Sequence, residues 1–111
     1  MLGAEDVRRL ALALPEAVEQ DHHGFPSFRV AGKIFATLRD GPPKLMVKLD
    51  PEDQHNLSEA HPEVIAPVPG AWGRRGSTFV RYDLAEAEFA VMLLRLAWMR
   101  VAPKRLREGE G

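Results

Sequence analysis

Two periods of apolar residues run along this 111-residue chain, and the switches between them divide it into elements. Residues 5–14 place Val7, Leu10, Ala11 and Leu14 at helical steps, and Pro15 stops the helix. The stretch AVEQDHHGFP that follows is polar and rich in turn residues, and reads as a connection. Alternation then begins. Phe28 and Val30 oppose Ser27 and Arg29, and Ala31-Gly32 make a tight turn. Ile34, Ala36 and Leu38 next oppose Lys33, Phe35, Thr37 and Arg39. Asp40-Gly41-Pro42-Pro43 is another turn, after which Leu45, Val47 and Leu49 form the inward set of a third strand. Three short strands separated by turns predict an antiparallel meander.

In the second half, Asp50 is positioned as an N-cap, with Pro51 at the first helical position and Glu52 and Asp53 complementing the helix dipole. His61-Pro62 ends that helix. Residues 64–68 read as a short strand that Pro67 confines to an edge or a bulge, and residues 77–82 as a better one. Asp83 with Glu86 resembles a capping box opening the longest helix, which runs to about Ala102 before Pro103. That helix carries two stripes. Phe89, Met92, Leu93 and Leu96 are expected to meet the sheet. Val91, Leu94 and Trp98 are expected to pack on the first helix or across a homodimer. Residues 107–111 are expected to be a flexible tail after a single domain of residues 1–106.

The order helix, three strands, helix, two strands, helix is incompatible with a doubly wound parallel sheet. It predicts an α+β, two-layer architecture: one antiparallel sheet with helices on one face and the other face open. On that open face the alternation places Arg29, Lys33, Phe35, Arg39, Lys44, Met46 and Lys48, joined by Phe79 and Arg81 from the last strand. Cations interleaved with apolar and aromatic groups suit phosphate contact and base stacking. They also suit a solvated face whose Lys and Arg discourage edge association.

Charge sharpens this picture more than composition does. The formal net charge is −1, with 45% hydrophobic and 28% charged residues, an ordinary globular balance. Its distribution is uneven: residues 1–63 hold 7 Lys/Arg against 11 Asp/Glu, and residues 64–111 hold 8 against 5. The basic half contains AWGRRGSTFVRY, residues 71–82, where Trp72, Arg74 and Arg75 sit among glycines ahead of Arg81. It reads as an exposed turn whose arginines touch phosphate, or as an ordinary solvated hairpin turn. With no cysteine, the chain has no disulfide, thiolate metal ligand or cysteine nucleophile. Neither a signal peptide nor a run of membrane-spanning length is recognised, so a cytoplasmic protein with no membrane association is expected.

Catalytic and metal chemistry find little support. His22 and His23, adjacent on an extended segment, are expected to point to opposite faces, and His55 and His61 to lie on different sides of a helix. Ser27, Ser58, Ser77, Thr37 and Thr78 lie outside any nucleophile elbow, and glycines 70, 73 and 76 match neither a P-loop nor a dinucleotide fingerprint. Glu52-Asp53 is explained by the helix start. No enzyme, cofactor or metal is expected.

FPSFRVAGKIFATL, then LMVKLDPEDQHNL, then WGRRGSTFVRYDL ahead of a final helix, resemble the MmcQ/YjbR family over residues 7–106. The resemblance implies a small α+β fold and a DNA-binding role in which loop-and-strand projections act as paired wings. Carried onto this chain, it makes Trp72, Arg74 and Arg75 the wing candidates, with Arg81 behind them. The layout also resembles secretion-chaperone-like domains, which bind protein partners; in this chain such a module would use the open sheet or the long helix. The expectation is a DNA-binding monomer or homodimer, with a protein-interaction module as the alternative.

Overall fold

A computed structural model describes residues 1–39 and 41–110. Asp40 of the expected turn, Gly111 of the expected tail and the side chain of Glu110 lie outside the described residues. Helix α1 (Ala4–Leu12) is followed by strands β1 (Val18–His22), β2 (Phe25–Val30), β3 (Lys33–Arg39) and β4 (Lys44–Lys48). Then come α2 (Pro51–Ala60), β5 (Ile65–Pro67), a one-turn α3 (Ala71–Arg74), β6 (Ser77–Val80), α4 (Ala87–Val101) and α5 (Lys104–Glu110). The strands form one antiparallel sheet in the order β1-β2-β3-β4-β6-β5. The two-layer α+β reading holds, and β5, with its proline, lies at the sheet edge as Pro67 requires.

The sheet has one strand more than expected. β1 carries Val18, Glu19, Gln20, Asp21 and His22, none of them buried, so it has no apolar alternation to read. Backbone pairing with β2 holds it at the edge, and Arg8 of α1 donates to Glu19 at 2.5 Å. An edge strand stabilised by its ladder and its polar side chains gives no hydrophobic signal.

The expected register also fails at one point. Phe28, Val30, Ala36, Leu38, Leu45, Val47 and Leu49 are buried as the alternation requires, but Phe35 is fully buried and Ile34 is not. Ser27 pairs with Thr37 and Phe28 with Ala36, yet Arg29 pairs with Ile34, so the register slips by one residue. The β-bulge turns Phe35 and Ala36 both into the core and sends Ile34 to the open face. Lys33 then pairs with Val30 at the turn end of the hairpin, on the side away from Ile34. Phe35 and Lys33 therefore leave the open-face set.

Helix α2 starts as expected, with the Asp50 carboxylate accepting from the Glu52 N–H at 3.0 Å and Pro51 in the first turn. The capping box before α4 does not form. Asp83 lies in a short 3-10 turn (Tyr82–Leu84) and is occupied by Arg81, while α4 begins after Glu86 without a side-chain cap. The buried stripe of α4 is Ala90, Leu93, Leu94, Ala97 and Trp98, whereas Met92 and Val91 are exposed. This merges the two expected stripes. α4 packs over β3 and β4 and against α1, so one broad face serves both contacts. Trp98 is fully buried within the chain, its indole N–H donating to the Pro15 carbonyl at 3.0 Å. The tail is helical to Glu110, with Arg105 forking onto Glu16 at 3.1 and 3.2 Å and Lys104 paired with Glu108.

Candidate nucleic-acid interface

The segment from Trp72 to Gly76 is one helical turn packed onto the sheet, not a protruding hairpin tip. Its glycines are used inside the protein. A Cβ on Gly73 would lie 1.7 Å from the Val68 carbonyl oxygen, and one on Gly76, whose φ is +111°, would lie 1.9 Å from that of Leu49. The Leu49 N–H donates to the Gly76 carbonyl at 2.9 Å, tying the end of this segment to the end of β4. Buried Gln54 of α2 anchors it from the helix side, its amide nitrogen lying within 3.0 Å of the Gly73 carbonyl, the Ser77 carbonyl and Thr78 Oγ1. The Thr78 hydroxyl in turn donates to the Gly76 carbonyl at 2.9 Å. With backbone and anchor fixed, the exposed side chains are those of Trp72, Arg74 and Arg75.

Trp72, 63% exposed, stands at the edge of two hollows. The larger, about 350 Å³, lies on the open sheet face. Its floor follows from the register: Thr37, Met46 and Phe79 form one cross-strand row, and Ile34 joins them through the bulge. Arg39, Lys48, Ser77, Val68 and His22 complete the lining. The smaller hollow, about 260 Å³, is lined by Lys48, Trp72, Arg75, Ser77, Arg100 and Val101. Lys48, Trp72 and Ser77 belong to both, so the two adjoin. Among the described residues, neither lining contains a carboxylate.

The cations differ in how far they are already satisfied. Arg81 donates to both oxygens of Asp83, at 2.9 and 2.7 Å. This bidentate pair holds the Asp83 carboxyl below the usual carboxylate range. Arg29 donates its Nε–H to Ser27 Oγ at 3.1 Å, and Lys44 lies 4.5 Å from the centroid of the Phe79 ring. Arg39 stacks on Phe25 at 4.6 Å, but its Nε is buried with no hydrogen-bond partner. Arg100 donates to the Leu49 carbonyl through one nitrogen, with four further N–H groups on its guanidinium. Arg75 sits 6.0 Å from the Trp72 ring centroid, the outer limit of a cation–π contact.

Of the residues expected at a nucleic-acid site, Trp72, Arg75 and Lys48 come together. Arg74 is exposed on the same turn but lines neither hollow. Arg29 lies on the open face beside Ile34, while Lys33 is remote at its hairpin and Arg81 is matched by Asp83. Arg39 lies on the open face, as the alternation predicts, and lines the larger hollow. Arg100 went unrecognised because it lies on the last helix, and only the tertiary fold returns it to the end of β4. Gln54 went unrecognised too, since one polar residue on a polar helix gives no pattern.

His22 and His23 do not diverge as expected. Their rings meet edge to face at 4.5 Å, because His23 adopts a positive φ of 53° in the β1–β2 turn. Among the described residues no group of three or more His, Cys, Asp or Glu is placed to hold a metal ion. No helix among them is long and apolar enough to cross a membrane.

The fold and surface define a class: a small α+β domain with one sheet face closed by helices and the other an open, cation-lined concavity. The chain belongs to the YjbR family, whose model matches residues 12–103. Its fold is similar to that of the Deinococcus radiodurans protein DR2400, a crystal structure carrying the domain DUF419, at 26% identity and a TM-score of 0.77. That likeness covers 98% of this chain and 88% of the other. No curated protein matches the chain.

Proposed function

We propose that this protein is a non-enzymatic, cytoplasmic DNA-binding protein whose open sheet face contacts the phosphate backbone. The observation that carries the reading is the pair of adjoining hollows lined by Arg39, Lys48, Arg75 and Arg100, with no carboxylate among the described residues that line them. Acidic residues outnumber basic ones by one in the chain, so cations gathered in one place concentrate what positive potential it has. Lys48 and Arg75 are the principal phosphate contacts, with Arg74 and Arg29 contributing from the margins. Arg81 and Lys33 are not part of the surface. The proposed contact is a concave face rather than a wing, because the arginine segment is a packed helical turn.

Three or four phosphate contacts imply roughly micromolar binding at physiological salt. The test is fluorescence anisotropy of labelled duplexes of unrelated sequence. Lys48→Ala with Arg75→Ala is expected to weaken all of them alike, since phosphate contacts carry no sequence information. Equal affinity of wild type and double variant would remove the proposal. A second reading, a protein-interaction module, rests on exposed Val91 and Met92 of α4. It is favoured if duplex binding is absent and the protein sediments as a dimer that Met92→Glu dissociates.

A further inference from the structure

We infer that the larger hollow is a base-binding site, so that the preferred ligand is a single-stranded nucleic acid rather than a duplex. The inference rests on the DNA-binding reading and deepens it by naming the form of nucleic acid.

Four features point to an unpaired base. The first is shape. A duplex presents a convex ridge of phosphates with its bases paired inside, whereas this surface is a hollow with an apolar floor of Ile34, Met46, Val68 and Phe79. Phosphate contact alone gives no reason for that floor. The second is Trp72, which is mostly exposed although its segment is firmly anchored by Gln54. An aromatic wall beside an apolar floor is a stacking platform, and stacking is available only to bases that are not already paired and stacked.

The third is the order of groups along the surface. The base-sized hollow shares Lys48, Trp72 and Ser77 with the smaller one, where Arg75 and Arg100 bring two more cations. A single strand alternates base and phosphate in the same way, so a base in the first hollow carries its phosphate to the second. The fourth is Arg39, which stacks on Phe25 and brings a cation to the wall of the larger hollow. A guanidinium on the wall of the hollow can donate to a base carbonyl or a phosphate oxygen.

The molecule contains its own reporter. Trp98 is fully buried with its indole N–H satisfied, so a ligand-dependent change in tryptophan emission reports on Trp72. The experiment titrates the full chain at low salt with a thymidine oligonucleotide of about 12 nucleotides and with a duplex of the same length. Anisotropy gives the affinities and tryptophan emission the stacking. The single strand is expected to bind at least about tenfold more tightly and to quench the emission. Trp72→Ala should lose about tenfold for the single strand and less than twofold for the duplex, and Trp72→Phe should recover most of the loss. Near-ultraviolet circular dichroism of Trp98 checks that each variant is folded.

Equal affinities with an inert Trp72→Ala, while Lys48→Ala with Arg75→Ala weakens both ligands, would overturn the base site and leave the phosphate-binding reading intact. No binding of either ligand at low salt would overturn both.

Discussion

The two faces of this sheet are built from the same strands, often from neighbouring residues, yet they are finished in opposite ways. On the closed face, Phe28, Ala36, Val47 and Thr78 form one cross-strand row with zero exposure beneath the helices. One residue along, the row Ser27, Thr37, Met46 and Phe79 has no helix above it and is edged by Arg39, Lys44 and Lys48. The open row is nevertheless not a plain polar surface. Thr37 is buried, Met46 and Phe79 are partly buried, and the bulge adds Ile34 to them. Edge cations suit a solvated face as well as an anionic ligand, but the apolar centre suits a ligand with a flat apolar part and not water alone.

The two tryptophans break or sharpen this comparison with the largest effect. Trp98→Ala is expected to cost about 3–5 kcal/mol, through the cavity it leaves and the loss of its bond to Pro15. Trp72→Ala should change stability by no more than about 0.5 kcal/mol. Urea unfolding of both variants checks the contrast, and comparable losses would mean that the open-face rim is structural. The bulge gives the next test. Phe35→Ala should cost about 3–5 kcal/mol and Ile34→Ala about 1 kcal/mol. The reverse order would restore the simple alternation and move Ile34 off the open face.

These two residues also show where sequence reading stops. Phe28, Val30, Leu45, Val47 and Leu49 were assigned correctly because period-2 alternation is a strong signal wherever one face is buried. Phe35 was misassigned because a bulge adds a residue without changing composition, and Lys33-Ile34-Phe35-Ala36 reads as unbroken alternation. β1 was missed because it has no buried side chain to announce it. On the candidate site, Trp72, Arg75 and Lys48 were legible as an aromatic and cations in turn or strand contexts. The discount of Arg81 was not, because only geometry shows that Asp83, two residues on, claims its guanidinium. Arg100 and Gln54 joined through contacts distant in sequence, which no local pattern encodes.

Gln54 joins the two faces, since it lies under the helices yet holds the turn that carries Trp72. Gln54→Ala leaves the Gly73 and Ser77 carbonyls only their backbone donors, Gly76 and Val68, and is expected to cost about 1 kcal/mol by urea unfolding. It should also weaken DNA binding, although the side chain lies on the covered side. Unchanged affinity would show that the position of Trp72 does not depend on this anchor.

The smallest effect belongs to Arg81 and Asp83. The depressed Asp83 pKa means that the pair stabilises the fold above the unfolded carboxylate pKa, and that this contribution is lost as pH falls through the folded value. Asp83→Asn should therefore slightly lower thermal stability at neutral pH and converge with wild type in acid. Equal stabilities at neutral pH would mean that the exposed pair contributes nothing. For ligand binding, Arg81→Ala should leave the salt dependence unchanged.

That salt dependence tests the central claim most directly. Affinity for a labelled duplex, measured by anisotropy from low to moderate salt, should fall with a log–log slope of about −3 to −4 for wild type. Lys48→Ala with Arg75→Ala should flatten it by about 2, while Arg81→Ala leaves it as it was. A wild-type protein that does not bind at low salt, or a slope that the open-face double variant leaves unchanged, would contradict the assignment of this face to phosphate contact.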